Sequence, residues 1–243
     1  MSPHRFSWPA LAASALLLVA CSEESNKTTS ESTTPVDAVD HVLLLDDDTD
    51  PDQVLGEPGA YALTARGESS PPLAVLDVPA GYSNFGFFAL VEEGFAEAEI
   101  PIRSVQYWTV NGVFVDPCAM DAGAPDAGTS VKELAAALAA QKQTSVSESV
   151  PVTLDGHDGL YLEITASADI SFKDCDAGYF GYWEGSPDDA QHTADSPGTV
   201  DHTWILDVDG ERVVLLAAAP PEVTEAQIDE LTSMVESVRF VEP

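Results

Sequence analysis

Positive charge is nearly missing from this sequence. Lys and Arg number 9 against 42 Asp and Glu, for a net charge of −33. A field of that sign repels nucleic-acid phosphates and anionic lipid headgroups, so no nucleic-acid partner is expected. The acidity is spread along the chain and reads as a solvated surface. Cysteine is scarce, with 3 in all, and no two are spaced as Cys-x-x-Cys. That spacing is what thiol-redox and zinc-ribbon chemistry would need. Long hydrophobic runs are missing too. The apolar stretch Ala10 to Ala20 falls short of the roughly 20 residues that span a bilayer as a helix. Catalytic signatures are absent: there is no Gly-x-Ser-x-Gly elbow, Ser-x-x-Lys, His-Glu-x-x-His or Gly-rich phosphate loop. No catalytic residue, cofactor or metal site is therefore expected.

What is present begins at the N-terminus. His4 and Arg5 precede the short apolar stretch, as in a signal peptide over residues 1–20. Leu18-Val19-Ala20-Cys21 resembles a bacterial lipobox. The resemblance implies that Cys21 receives a diacylglyceryl group and becomes the N-terminus of the mature chain. Two acyl chains hold a protein on a membrane far better than one, so the expected location is the extracytoplasmic face of the cell membrane, lipid-anchored. With Cys21 taken by lipid, Cys118 and Cys175 remain. Two Cys in an oxidising compartment most often bond to each other, so a structural disulfide is expected.

Residues 21–57 read as a tether. Ser22 to Pro35 is polar and Ser/Thr-rich, a composition that cannot offset its ordering entropy. Val42-Leu43-Leu44-Leu45 interrupts it as a candidate edge strand. The run Asp46 to Asp52, with Glu57, places carboxylates at several positions of an EF-hand-type calcium loop. Pro51, however, stands where that loop requires Gly, so the run is read as an acidic linker.

From Pro58 to the C-terminus the texture is that of a single α+β domain, an antiparallel β-sheet with two main helices packed on it. Strand-like runs cover Tyr61 to Thr64, Leu73 to Val78, Phe85 to Val91, Ser104 to Val110 and Val113 to Val115. Asn111-Gly112, Asp155-Gly156 and Asp209-Gly210 are hairpin signals, although the first could equally mark a bulge; the last is the clearest because Trp204 to Val208 and Arg212 to Ala217 flank it. Ser130 with Glu133 opens one helix, and Thr224 with Gln227 opens the other. The apolar stripe of the second helix is Ile228, Leu231, Val235 and Val238. Tyr179 to Ser196 reads as irregular.

Pro79-Ala80-Gly81-Tyr82, Tyr107-Trp108-Thr109-Val110, Asp116-Pro117-Cys118, Trp204 to Gly210 and Ser237-Val238-Arg239-Phe240 together resemble uncharacterised secreted proteins and lipoproteins of high-GC Gram-positive bacteria. The order of strands and helices is also similar to the PsbP/Mog1-like α/β/α sandwich. That resemblance implies an accessory or partner-binding scaffold of the cell envelope, non-enzymatic, whose partner is an envelope protein. Four aromatics, Tyr179, Phe180, Tyr182 and Trp183, crowd around Gly181 and form the candidate binding surface, with capping of the sheet beside Cys175 as the competing reading. A small or lipidic ligand held between sheet and helix is the alternative function, and an envelope hydrolase the third. Of the His residues, His157 is read as exposed and His202 as partly buried. Asp188, Asp189, His192 and Asp195 form the one mixed carboxylate–imidazole patch, read as a solvated loop.

The lipobox reading has a direct check. Metabolic labelling with a radiolabelled fatty acid should mark the full chain at Cys21, and Cys21→Ser should abolish both the label and sedimentation with membranes. An unlabelled chain that still sediments would sink it.

Overall fold

The hairpin that the sequence marks most clearly is the centre of the molecule. In the computed structural model, which describes residues 42–45, 58–67, 69–92, 103–186 and 190–242, β13 (Val200–Val208) and β14 (Glu211–Ala219) pair over their whole length. Asp209 and Gly210 both adopt positive φ, at 54° and 90°, as a type I′ turn requires. Every residue from Val213 to Ala219 is buried. Their alternation serves two separate clusters, with Val213, Leu215 and Ala217 in one and Val214, Leu216 and Ala218 in the other. This hairpin therefore has no solvated face.

Around it grows an eight-stranded sheet. Its order is β4 (Tyr82–Phe85), β5 (Ala89–Glu92), β6 (Ser104–Trp108), β14, β13, β10 (His157–Ala166) and β8 (Thr144–Val146), with β9 (Val150–Leu154) also on β10. All of these pairings are antiparallel. The run from Phe85 to Val91, expected as one strand, is split: Gly86, with φ 61°, turns the chain between β4 and β5. The turn at Asp155-Gly156 joins β9 to β10, with positive φ at both residues.

A second sheet covers one face of the first. It runs β1 (Val42–Leu44), β2 (Gly59–Leu63), β3 (Leu73–Val78), β15 (Arg239–Val241). β1 is an edge strand, as expected, and joins β2 in parallel. With it lies α2 (Glu225–Glu236), which buries Leu231, Met234 and Val235 against Tyr107, Leu206 and Leu215 in the same cluster. Arg103 ties this side together. Its guanidinium donates to Glu92 at 2.6 Å and to Glu230 of α2 at 3.1 Å.

The opposite face carries α1 (Val131–Ala139), capped by Ser130 and Glu133 acting reciprocally. Beside it is a three-stranded layer of β12 (Ala190–Ala194), β11 (Phe180–Ser186) and β7 (Gly112–Val113). Two expectations fail here. Asn111-Gly112 is no hairpin: Gly112 pairs with Glu184 of β11. Gly is needed there for closeness, because a Cβ would meet the Ala124 carbonyl oxygen at 2.6 Å. Tyr179 to Ser196 is not irregular either, since most of it forms β11 and β12.

The described residues are thus α+β, mostly antiparallel sheet with two helices. None of their helices is long and apolar enough to cross a membrane. Cys118 and Cys175 are disulfide-bonded, 57 residues apart. Loop-closure entropy assigns such a bridge about 4 kcal/mol. A Cys118→Ala/Cys175→Ala double variant should lose about that much stability in urea unfolding; an unchanged midpoint would show that the bridge constrains nothing the fold does not already hold.

Candidate functional site

The candidate binding surface does not survive as an exposed patch. Phe180, Tyr182 and Trp183 are fully buried, and Tyr179 alone is exposed, at 41%. Strict alternation would have left every second aromatic outside. A bulge in the β11–β12 pairing between Gly181 and Trp183 breaks the alternation, and Tyr182 and Trp183 both enter the core facing α1. Phe180 stacks on Phe172 at 5.1 Å within the cluster that holds Cys175. Capping of the core beside the bridge is what these residues do.

They also build a box around His192. The Trp183 ring lies 4.3 Å from the imidazole, the Tyr182 ring 5.5 Å and the Trp108 ring 5.9 Å. β12 brings His192 to this place, and β13 supplies its partner: His192 Nε2 donates to the Asp201 carboxylate at 2.5 Å. Both side chains are almost wholly buried. Asp201 fits because its neighbours across the sheet are Ala218 and Ile164, and the alanine leaves room. His192, expected in a solvated loop, is thus held in a buried hydrogen-bonded pair with Asp201. Asp188 and Asp189 lie outside the described residues, as do Cys21, His41 and the acidic run Asp46 to Asp52.

Above the imidazole opens a cleft of about 270 Å³. One wall is Phe85, Phe88 and Trp108; Ser104, Gln106, Gln191, His192, Thr193 and Asp195 supply the polar lining. β6 sets three of these on one face by strand alternation, and they are linked in a row. Trp108 Nε1 donates to Gln106 Oε1 at 2.9 Å, and Gln106 Nε2 donates to Ser104 Oγ at 3.0 Å. Arg66, held beside β6 by backbone bonds to Tyr107 and Thr109, lays its guanidinium over Phe88 at 4.7 Å and over Trp108 at 5.4 Å.

Charge in the cleft is concentrated. Desolvation and then the nearby Asp201 charge push the Asp195 carboxyl up to about 6, with His192 pulling the other way. Asp195 is exposed as a residue, so water screens part of that rise. Burial, followed by the charges of Asp201 and Asp195, holds the Tyr182 phenol well above its ordinary range. On the far face of the sheet His202 is buried rather than partly buried, and desolvation lowers its pKa. The Tyr161 hydroxyl lies 2.7 Å from His202 Nδ1.

Other hollows are weaker candidates. A polar one of about 620 Å³ centres on Arg212, whose Nη groups already donate to the carbonyls of Val110, Ala127, Gly128 and Ser130. Two apolar grooves, beside α2 and beside α1, lie open on the surface. Among the described residues no group of three or more His, Cys, Asp and Glu is placed to hold a metal ion. No protein-family model matches the chain, and no curated protein matches it either.

Only fragments of this site show in the sequence. His192 and Asp195 are visible as a close pair. Asp201, nine residues on and beyond the turn between β12 and β13, carries no local mark, and neither does the β6 face opposite.

The raised pKa of Asp195 has a definite sign. A carboxyl that holds its proton more tightly when folded costs stability once the pH passes the unfolded value, and the cost grows until the folded value near 6. Asp195→Asn should therefore stabilise the protein at pH 7, by on the order of 1 kcal/mol after solvent screening, and leave it unchanged at pH 3. Urea unfolding at the two pH values checks this, and equal gains at both would refute it.

Proposed function

We propose that this protein is a lipid-anchored module on the extracytoplasmic face of the cell membrane that binds a small ligand in the His192 cleft. The observation that carries the reading is preorganisation. His192 is paired with Asp201, and Ser104 is ordered through Gln106 and Trp108, before any ligand arrives. A concave, partly aromatic site with a few fixed polar groups is the ordinary form of a small-molecule site. At about 270 Å³ it lies at the low end of such sites, roughly 300–1,000 Å³, which favours a compact ligand.

The anchor at Cys21 rests on the lipobox. A PsbP/Mog1-like sandwich is supported by the antiparallel sheet with α1 and α2 on opposite faces, although each helix shares its layer with a small sheet. An envelope protein as partner would have to use another surface, since the aromatic segment is buried. A hydrolase would need a hydroxyl or thiol on the second nitrogen of His192, and among the described residues none hydrogen-bonds to it.

The test is a ligand-observed NMR screen of compact polar fragments on the full chain carrying Cys21→Ser, beside the same chain with Gln191→Trp. Gln191 is exposed at the cleft, so the added indole should fill the cleft without disturbing the core. At least one fragment should bind with a submillimolar Kd and be lost from the Gln191→Trp variant. Fragments that bind both chains equally, or none, would overturn the reading.

A further inference from the structure

Two buried side chains that line the cleft are each left with one hydrogen-bond role. His192 is 3% exposed and Ser104 2%. Asp201 engages Nε2 of His192. A carboxylate only accepts, so the neutral imidazole keeps its hydrogen on Nε2 and Nδ1 is an acceptor. No hydrogen bond reaches Nδ1 among the described residues. Ser104 has the opposite role. The Trp108 N–H only donates, so it fixes Gln106 with Oε1 toward the indole and Nε2 toward Ser104 Oγ. The row thus runs one way and leaves the Ser104 hydroxyl hydrogen to be donated, and no group among the described residues accepts it. Buried polar groups ordinarily have partners. A fixed acceptor and a fixed donor on one cleft therefore point to a ligand that brings a donor and an acceptor. The charged residues in the lining are Arg66 and Asp195, one of each sign, which favours a ligand without net charge.

Resting on the small-ligand reading, we infer that the cleft takes a compact neutral polyol, a sugar or cyclitol, one hydroxyl donating to His192 Nδ1 and another oxygen accepting from Ser104. A hydroxyl both donates and accepts, so a molecule that carries several meets both roles. A carboxylate has no hydrogen for Nδ1, and an ammonium has no lone pair for Ser104. Gln191 and Thr193 add an amide and a hydroxyl to the same lining, and each can act in either role. A site built to bond a hydroxyl rejects an analogue without one, because its buried groups are then left unpaired. Asp201 and Gln106 are positioning residues here. Asp201 sets the tautomer of His192, and Gln106 sets the direction of the Ser104 hydroxyl.

The experiment titrates glucose, myo-inositol, the anion glucuronate and the cation glucosamine into the full chain carrying Cys21→Ser. Calorimetry reads affinity, and nitrogen NMR of the labelled imidazoles reads the tautomer. At least one neutral polyol should bind, about tenfold tighter than either charged sugar. Ser104→Ala should weaken it about tenfold, and Gln191→Trp should abolish it. The His192 spectrum should show hydrogen on Nε2 alone, and the polyol should shift the Nδ1 resonance. That spectrum needs no substitution in the cleft, so it decides even where Ser104→Ala fails to fold. A charged sugar that binds as tightly would overturn the choice of a neutral ligand. Hydrogen on Nδ1, an Nδ1 resonance that the polyol leaves unmoved, or full affinity in folded Ser104→Ala would overturn the two roles. Binding that survives Gln191→Trp would place the polyol elsewhere and overturn the inference. Silence from both polyols would overturn it as well, and the fragment screen then decides separately whether the cleft binds anything.

Discussion

Burial of the β13–β14 hairpin on both faces is the constraint from which the rest of the structure follows. A strand pair that buries side chains on both faces cannot be completed by a single covering layer. One face is closed by the small sheet with α2, and the other by the three-stranded layer with α1. Each covering layer is too narrow to form a core alone. Each exists because the central sheet offers it an apolar surface. The disulfide, the Arg103 cluster and the helix caps fasten layers that hydrophobic burial has already brought together.

The same constraint explains why the site lies where it does. A polar group enters a core of this kind with a partner, and on the face toward α1 two of them, His192 and Asp201, partner each other. Asp201 breaks the apolar alternation of β13 where Ala218 leaves space, and His192 descends from the covering layer to meet it. The indole and phenol rings around the imidazole are therefore both core and site. The Ser104–Gln106–Trp108 row does the same on β6, keeping polar side chains on a face that is otherwise apolar by satisfying them along the strand.

Much of the fold is legible in the sequence because its signals are local. Asp209-Gly210 and Asp155-Gly156 read correctly, since a type I′ turn is decided by the φ angles of two residues. The same is true of both helix starts, where Ser130 and Thr224 act within one turn. Asn111-Gly112 carries the equivalent Asn-Gly signal yet forms no hairpin, because its glycine answers to Ala124, a contact twelve residues away. Tyr179 to Trp183 misleads for a related reason: a bulge, invisible in the pattern, reverses which side the aromatics face. The cleft is the least legible feature. His192, Asp201, Trp108 and Arg66 come from separate elements, and no spacing rule joins residues that only the stacking of layers brings together.

The pairing of β15 with β3 bears on how the molecule is made. Phe240 lies opposite Ala74, and Arg239 opposite Val75, so the small sheet is closed by nearly the last residues of the chain. Closing a loop of that length is slow compared with forming hairpins such as β13–β14. During synthesis the earlier strands must wait with their apolar sides uncovered, and no fragment lacking the final strand can finish the layer that seals the central hairpin. The chain is thus slow to commit, because the layer that seals one face of the central hairpin is complete only when β3 and β15, far apart in sequence, have met.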